Sequence, residues 1–183
     1  MTRLTVIAGP TAVGKGTVVR HLLEHNPEIL VSVSATTRSP RVGETNGVEY
    51  FFVSNEEFDT MIANDELLEY ATVHLNNRYG TPRGPVENAL SAGKQIILEI
   101  DIQGAEQVKA SMPEANLIFI APPSLEELKR RLVGRGTETP EEIAIRLKTA
   151  EIELAASDLF DHVVINHEVA QCAQEVLDLM QSS

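Results

Sequence analysis

The sequence predicts an α/β protein: a parallel five-stranded sheet flanked by helices, interrupted by a small mixed α/β insert and a short basic stretch. Three observations predict it. Short β-branched runs alternate with longer helical patterns, the order that builds parallel sheets with helices on both faces. Most strand candidates are apolar throughout rather than alternating, as strands covered on both sides are. A glycine-rich stretch also stands between the first strand and the first helix.

The five strand candidates are Leu4–Ala8, 30–34, 95–101, 117–121 and 162–166. Helix starts are marked by two candidate capping boxes, Ser124 with Glu127 and Thr139 with Glu142, the second with Pro140 in the first turn. Ile143, Leu147, Ala150 and Leu154 then form a helical stripe, and Gly93 reads as a helix C-cap. Between Thr37 and Thr81 the rhythm changes. Short strands at 50–53 and Leu67–Val73 surround a helix starting near Ser54, with Glu57 three residues on. Residues 128–136 hold Lys129, Arg130, Arg131 and Arg135 without an acid, and Gly134 and Gly136 flank Arg135. Taken alone, such a basic turn reads as a solvated face.

Fifteen bases against 27 acids give a net charge of −12. That balance argues against a general nucleic-acid binder and against docking on an anionic membrane. Cys172 is the one cysteine, which excludes an intrachain disulfide and any cysteine-based zinc site. His21, His25, His74, His162 and His167 read as surface or packing residues. The opening apolar run is too short for a signal peptide, and no stretch approaches the ~20 apolar residues of a membrane span. The cytoplasm is the expected location.

Gly9-Pro10-Thr11-Ala12-Val13-Gly14-Lys15-Gly16-Thr17 has the strand, glycine-rich loop and helix order of a phosphate cradle. Glycines let backbone N–H groups converge on phosphate oxygens, and the helix N-terminus adds positive potential. Lys15 is placed to bridge the outer phosphates. Gly16 stands where the strict pattern has Ser or Thr, so Thr17 is the expected hydroxyl for Mg2+ or a phosphate. The bland alternative is a plain glycine-rich turn. A cradle of this kind implies a nucleoside triphosphate but not a reaction.

The run from Ser32 through Thr37, Arg38, Arg41 and Glu44 resembles the nucleotide-insert signature of guanylate kinases. So do Gly47 to Phe52, Leu68-Glu69, Tyr79-Gly80-Thr81-Pro82, Ile100-Asp101 with Gln103-Gly104, Arg131-Leu132, Arg135-Gly136, Arg146-Leu147 and Val164 to Asn166. The resemblance runs from about residue 4 to residue 166. It implies a P-loop kinase fold with a core at 1–36, 85–126 and 146–183, a GMP-binding insert at 37–84 and a lid at 127–145. The implied activity is transfer of a phosphoryl group from ATP to GMP or dGMP, with Mg2+.

The resemblance also implies roles. Arg38, Arg41 and Tyr50 would hold the GMP phosphate, a task suited to bidentate guanidinium groups. Glu69 would read guanine through its adjacent N1–H and amino group, with Ser34 and Thr81 on the base edge and Tyr79 beside the nucleotide. Asp101 would contact GMP and lie near metal-bound water. Arg131, Arg135 and Arg146 would surround the transferred group with Lys15, and Asn166 would lie beside the adenine. Four of them have a plainer reading: a salt bridge to Glu44 for Arg38 and Arg41, an exposed strand acid for Glu69, a strand-end turn residue for Asn166. Thr11, Ala12, Leu75, Arg78 and Glu99 depart from the usual family residues. Two further readings remain: a catalytically inactive guanylate kinase-like protein-binding module, and a kinase for another nucleoside monophosphate. An intact Lys15 and the lid arginines oppose the first; Glu69 and the Arg38, Arg41 pair oppose the second.

Overall fold

In chain order the elements are β1 (Leu4–Ala8), α1 (Lys15–His25), β2 (Leu30–Val31), β3 (Ala35–Thr36), β4 (Phe51–Phe52), α2 (Asn55–Ala63), β5 (Leu67–Val73), β6 (Asn77–Pro82), α3 (Arg83–Ser91), β7 (Ile96–Glu99), α4 (Ile102–Ser111), β8 (Asn116–Ala121), α5 (Leu125–Arg135), α6 (Pro140–Ala155), β9 (His162–Ile165) and α7 (Val169–Gln181). The structure, a computed structural model, describes residues 4–73, 76–135 and 139–182, excluding the side chains of Val73 and Arg135. The readings placed on His74, Leu75 and Gly136 lie outside the described residues.

The main sheet has the order β2-β7-β1-β8-β9, and every pairing in it is parallel. Its strands bury both faces. Leu4, Val6, Leu117 and Phe119 pack with Val86, Ala105 and Val108 of α3 and α4. Ile7, Ile118 and Ile120 pack with Val18 and Leu22 of α1 and with Cys172 and Val176 of α7. This two-sided burial is why the strands read as unbroken apolar runs. Within it the Cys172 thiol is pushed up to about 12 by burial, so it stays a neutral packing group.

A second sheet, ordered β4-β3-β6-β5, pairs β3 with β4 in parallel and is otherwise antiparallel. It encloses its own small core of Ala35, Phe58 and Leu67. Two of its strands, β3 and β6, were not expected from the sequence. β3 has two residues, and β6 contains Gly80 and Pro82, so neither carries a strand-like pattern.

Several boundaries shift for identifiable reasons. The strand expected at 30–34 stops at Val31 because Ser32 makes the final N–H bond to Ile97, 2.9 Å, and Ser34 already accepts from Phe51. The chain changes sheets there. The strand expected at 95–101 ends at Glu99, and Asp101 instead caps α4, its Oδ1 accepting the Gly104 N–H at 2.7 Å. The strand expected at 50–53 narrows to Phe51–Phe52. The boxes at Ser54 and Thr139 form in full. At Ser124 only the hydroxyl half forms, 3.1 Å from the Glu127 N–H, because the Glu127 carboxylate turns to Arg130 and Arg131. Gly93, at φ 73°, ends α3 as expected, with Lys94 N–H on Ala89 O and Gly93 N–H on Leu90 O.

Candidate active site

The loop at residues 9–14 leaves the C-terminal end of β1, the middle strand of the main sheet. Gly14 caps α1 with φ 95°, a left-handed conformation that favours glycine. A Cβ there would also stand 2.7 Å from Asn166 Nδ2. Three contacts fix the loop from behind. Val13 N–H donates to Pro10 O at 3.3 Å, and Val13 O accepts from Asn166 Nδ2 at 2.8 Å and from Arg131 Nη1 at 2.9 Å. The Lys15 ammonium donates to Gly9 O at 3.3 Å and Ile100 O at 3.4 Å. It is thereby held at the mouth of a cavity of about 460 Å³ lined by Thr11, Gly14, Gly16, Thr17, Arg20 and Glu99, among others. Burial lowers the Lys15 pKa, and Glu99, Glu153 and Asp101 oppose that by favouring its charge.

Glu69 and Asp101 converge from different elements. A Cβ on Gly104, in the first turn of α4, would lie 3.2 Å from Glu69 Oε2 and 3.3 Å from Asp101 Oδ1. Glu69 lies on β5 with 7% of its surface exposed, and its Oε1 accepts the Thr81 hydroxyl at 2.6 Å. The plainer reading of Glu69 as an exposed strand acid is therefore overturned. Burial raises its pKa, helped by the charge of Asp101, while the bond from Thr81 opposes the rise. Gln107 keeps the two acids in register from α4: its side chain accepts the Tyr70 N–H and donates to Tyr70 O, each at 3.1 Å. Ser111 donates to Leu68 O at 3.0 Å. No motif announced either residue; both mimic a sheet neighbour for the edge strand β5.

Arg38 stands over the Tyr50 ring at 5.3 Å, and the Tyr50 and Tyr79 rings are 5.8 Å apart edge to face. The guanidinium is held by Glu44 through two bonds, 3.0 and 2.9 Å. The same carboxylate accepts the Arg41 backbone N–H at 2.7 Å. The salt-bridge alternative for Arg38 is thus present in the structure. Ser34 is half-buried where the chain crosses between the sheets, and the Arg41 side chain is exposed. Arg78, one of the unusual residues, lies 2.7 Å from Asp59 and over the Phe58 ring, anchored to α2.

The basic residues of α5 and α6 divide. Arg131 reaches the loop from behind: Nη1 donates to Val13 O, Nη2 to Asn166 O at 3.0 Å, and Nε to Glu127 at 2.9 Å. Arg130 and Arg131 together hold the Glu127 carboxyl down to about 2. Arg146 is half-buried on α6, whereas the Arg135 side chain lies outside the described part. Asn166 is 2% exposed and bonded to Val13, so it serves the loop directly. Glu153 of α6 was not singled out in the sequence, yet its charge acts on Lys15. Residues with oxygen donors suited to Mg2+ stand around the cavity: Thr17 and Glu99 line it, and Asp101 acts on Lys15 from the N-cap of α4.

A glycine-rich loop between the middle strand of a parallel sheet and a helix, with a buried carboxylate on a second sheet, is the arrangement of a P-loop nucleotide phosphotransferase. Comparison with known proteins narrows that class. The family model for guanylate kinase matches residues 1–183. The chain is 63% identical to a guanylate kinase of Leifsonia xyli over 177 residues, covering 97% of this chain and 70% of that protein. It is 58% identical to one of Streptomyces coelicolor, covering 97% and 89%. The crystal structure of guanylate kinase from Anaplasma phagocytophilum superposes with a TM-score of 0.74 at 34% identity, over 98% of this chain and 85% of that one. The chain belongs to the guanylate kinase family.

Proposed function

We infer that this protein is an ATP:GMP phosphotransferase, moving the γ-phosphoryl group of ATP to GMP or dGMP and giving ADP and GDP. The observation that carries the reading is Glu69, a carboxylate buried beside Thr81 and Asp101. Guanine offers N1–H and an amino group side by side, and one carboxylate accepts both. Adenine would set an acceptor against the same lone pairs, and a buried mismatch of that kind rejects the wrong base by roughly 10⁴-fold.

Arg38, Arg41 and Tyr50 take the acceptor's phosphate, Arg38 exchanging Glu44 for it. Ser34 and Thr81 meet the base edge, and Tyr79 lies beside the nucleotide. On the donor side, residues 9–14 and the α1 N-terminus cradle the phosphates, with Lys15 on the outer ones. Mg2+ would be held with the nucleotide by Thr17 and, through water, Asp101, and would supply positive charge to offset that of the phosphates. The GMP phosphate is already an anionic nucleophile, so no general base is needed. Alignment of donor and acceptor oxygens and neutralisation of spreading charge are what the protein supplies. Arg135, Arg146 and Arg131 provide that neutralisation as the 127–145 segment closes over the 37–84 insert and excludes water. ATP and GMP are the expected partners, and the cytoplasm the expected place.

A coupled assay with a panel of monophosphates tests this reading. GMP and dGMP are expected to turn over with ATP and Mg2+, and AMP poorly. Equal rates with AMP and GMP would remove the base-reading argument.

A further inference from the structure

Gly16 is the second residue of α1, and its backbone does not lie in the left-handed region that favours glycine. Nothing in the helix asks for glycine there, and glycine is a poor helix former. The space of the missing side chain is taken by Glu99. A Cβ on Gly16 would stand 3.3 Å from Glu99 Oε1 and 3.7 Å from Oε2. The carboxylate therefore rests where the side chain of residue 16 would otherwise begin. It arrives from the neighbouring strand: Glu99 ends β7, in register with Ile7 of β1, at the carboxyl end of the parallel strands, where such sheets receive ligands. Among the described residues it takes no hydrogen bond and no ion pair. With Gly16 and Thr17 it lines the cavity of about 460 Å³ in front of the phosphate loop.

The strict phosphate-loop pattern puts a Ser or Thr hydroxyl at position 16 as a ligand of Mg2+. Here that oxygen is missing. Thr17 lines the same cavity, but it projects about 100° further round the helix, so its hydroxyl does not refill the gap. Mg2+ on a nucleotide is commonly held by one or two carboxylates together with the phosphates. We propose that Glu99 holds the nucleotide's divalent cation in place of the hydroxyl that residue 16 lacks, beside Thr17, and that Gly16 is there to admit its carboxylate. A carboxylate attracts the cation more strongly than a hydroxyl does, but it also sets a negative charge beside the phosphates. Its benefit therefore exists only with the cation present.

The inference rests on the phosphotransferase reading for its nucleotide, and its test separates the two. Mn2+ serves as the probe. Its binding to the protein–ADP complex is followed by electron paramagnetic resonance of the free ion in wild type, E99Q, E99D and the double variant G16S/E99D. E99Q should weaken Mn2+ binding about tenfold, while its ADP affinity without metal, by calorimetry in EDTA, should be no weaker than that of wild type. E99D, one methylene shorter, should weaken Mn2+ binding about fivefold. Adding G16S should return it to within about twofold of wild type, because the serine supplies the hydroxyl and the retracted carboxylate leaves it room. Glu99 also favours the charge of Lys15, and the metal-free arm separates that effect from cation holding. Unchanged Mn2+ binding in E99Q, a serine that fails to restore E99D, or an equal loss of ADP affinity with and without metal overturns the proposal. A wild type that binds Mn2+ and ADP as described yet transfers nothing to GMP overturns the phosphotransferase reading instead.

Discussion

The two halves of the proposed site are built on different principles. The donor half is a contiguous stretch, residues 9–17, and most of what it offers is backbone: N–H groups around a left-handed glycine cap and the start of α1. The proposed acceptor half is assembled from side chains on distant segments, Arg38 before β4, Glu69 on β5, Tyr79 and Thr81 on β6, and Asp101 at the head of α4. Phosphates are alike in all nucleotides, so backbone donors suffice to hold them. A base differs from its rivals only in its donor and acceptor pattern, and reading it takes a particular side chain in a dry place. Asp101 lies between the halves, its charge acting on both Glu69 and Lys15.

The sharpest way to break this division is a crossed pair of substitutions. Glu69→Ala should lower kcat/KM for GMP by about 10²–10⁴-fold, the loss of two hydrogen bonds to a charged acceptor, while ATP affinity measured by calorimetry stays put. Lys15→Ala should lower turnover by about 10²–10³-fold through loss of one preorganised cation, with GMP affinity nearly intact. If either substitution damages both affinities alike, the halves are not separate.

The acceptor half should also be the pH-sensitive one. Burial and the charge of Asp101 raise the Glu69 pKa, so its protonated form persists to higher pH than for an exposed glutamate. A protonated Glu69 offers guanine a donor where an acceptor is needed. KM for GMP should therefore rise as pH falls through the raised value, by about tenfold per unit below it, and GMP binding should release a proton. The stability sign is the reverse: between the ordinary and the raised pKa the folded state holds more protons, so this residue's contribution declines as pH rises. A pH-independent KM for GMP in the acid range would sink the assignment.

Legibility in the sequence follows the same division. The cradle was readable because its chemistry is local: strand, glycines, lysine and helix fall in one window. The strands of the main sheet were readable because burial on both faces leaves an apolar run, as in 117–121. The second sheet was only half readable, since β3 and β6 owe their existence to partners far along the chain and not to their own residues. Glu69 carried no local mark of burial; Gln107 and Ser111, which tie β5 to α4, look like ordinary polar helix residues. Arg38 could be read either as a phosphate ligand or as a partner of Glu44, and the structure displays the second arrangement. The resemblance implied that Arg131 surrounds the transferred group, whereas in the structure its donors hold the loop from behind.

That placement of Arg131 gives the smallest and most specific expectation. Glu127 orients Arg131 toward Val13, and the two arginines beside it hold its carboxyl down to about 2, against an ordinary value of 4.5. The pairing therefore contributes at pH values above 4.5 and fades as pH falls toward 2. It lies at the surface, where screening keeps such pairs weak. Its loss should not unfold α5 but should let Arg131 leave the Val13 carbonyl. Glu127→Gln at neutral pH ought to mimic that loss, weakening affinity for an ATP analogue by less than about threefold and leaving GMP affinity untouched. Because the donor half gathers its backbone groups redundantly, from Asn166 as well as Arg131, a weakening as large as that of Lys15→Ala would show that this one ion pair, and not the loop's own geometry, sets the shape of the cradle.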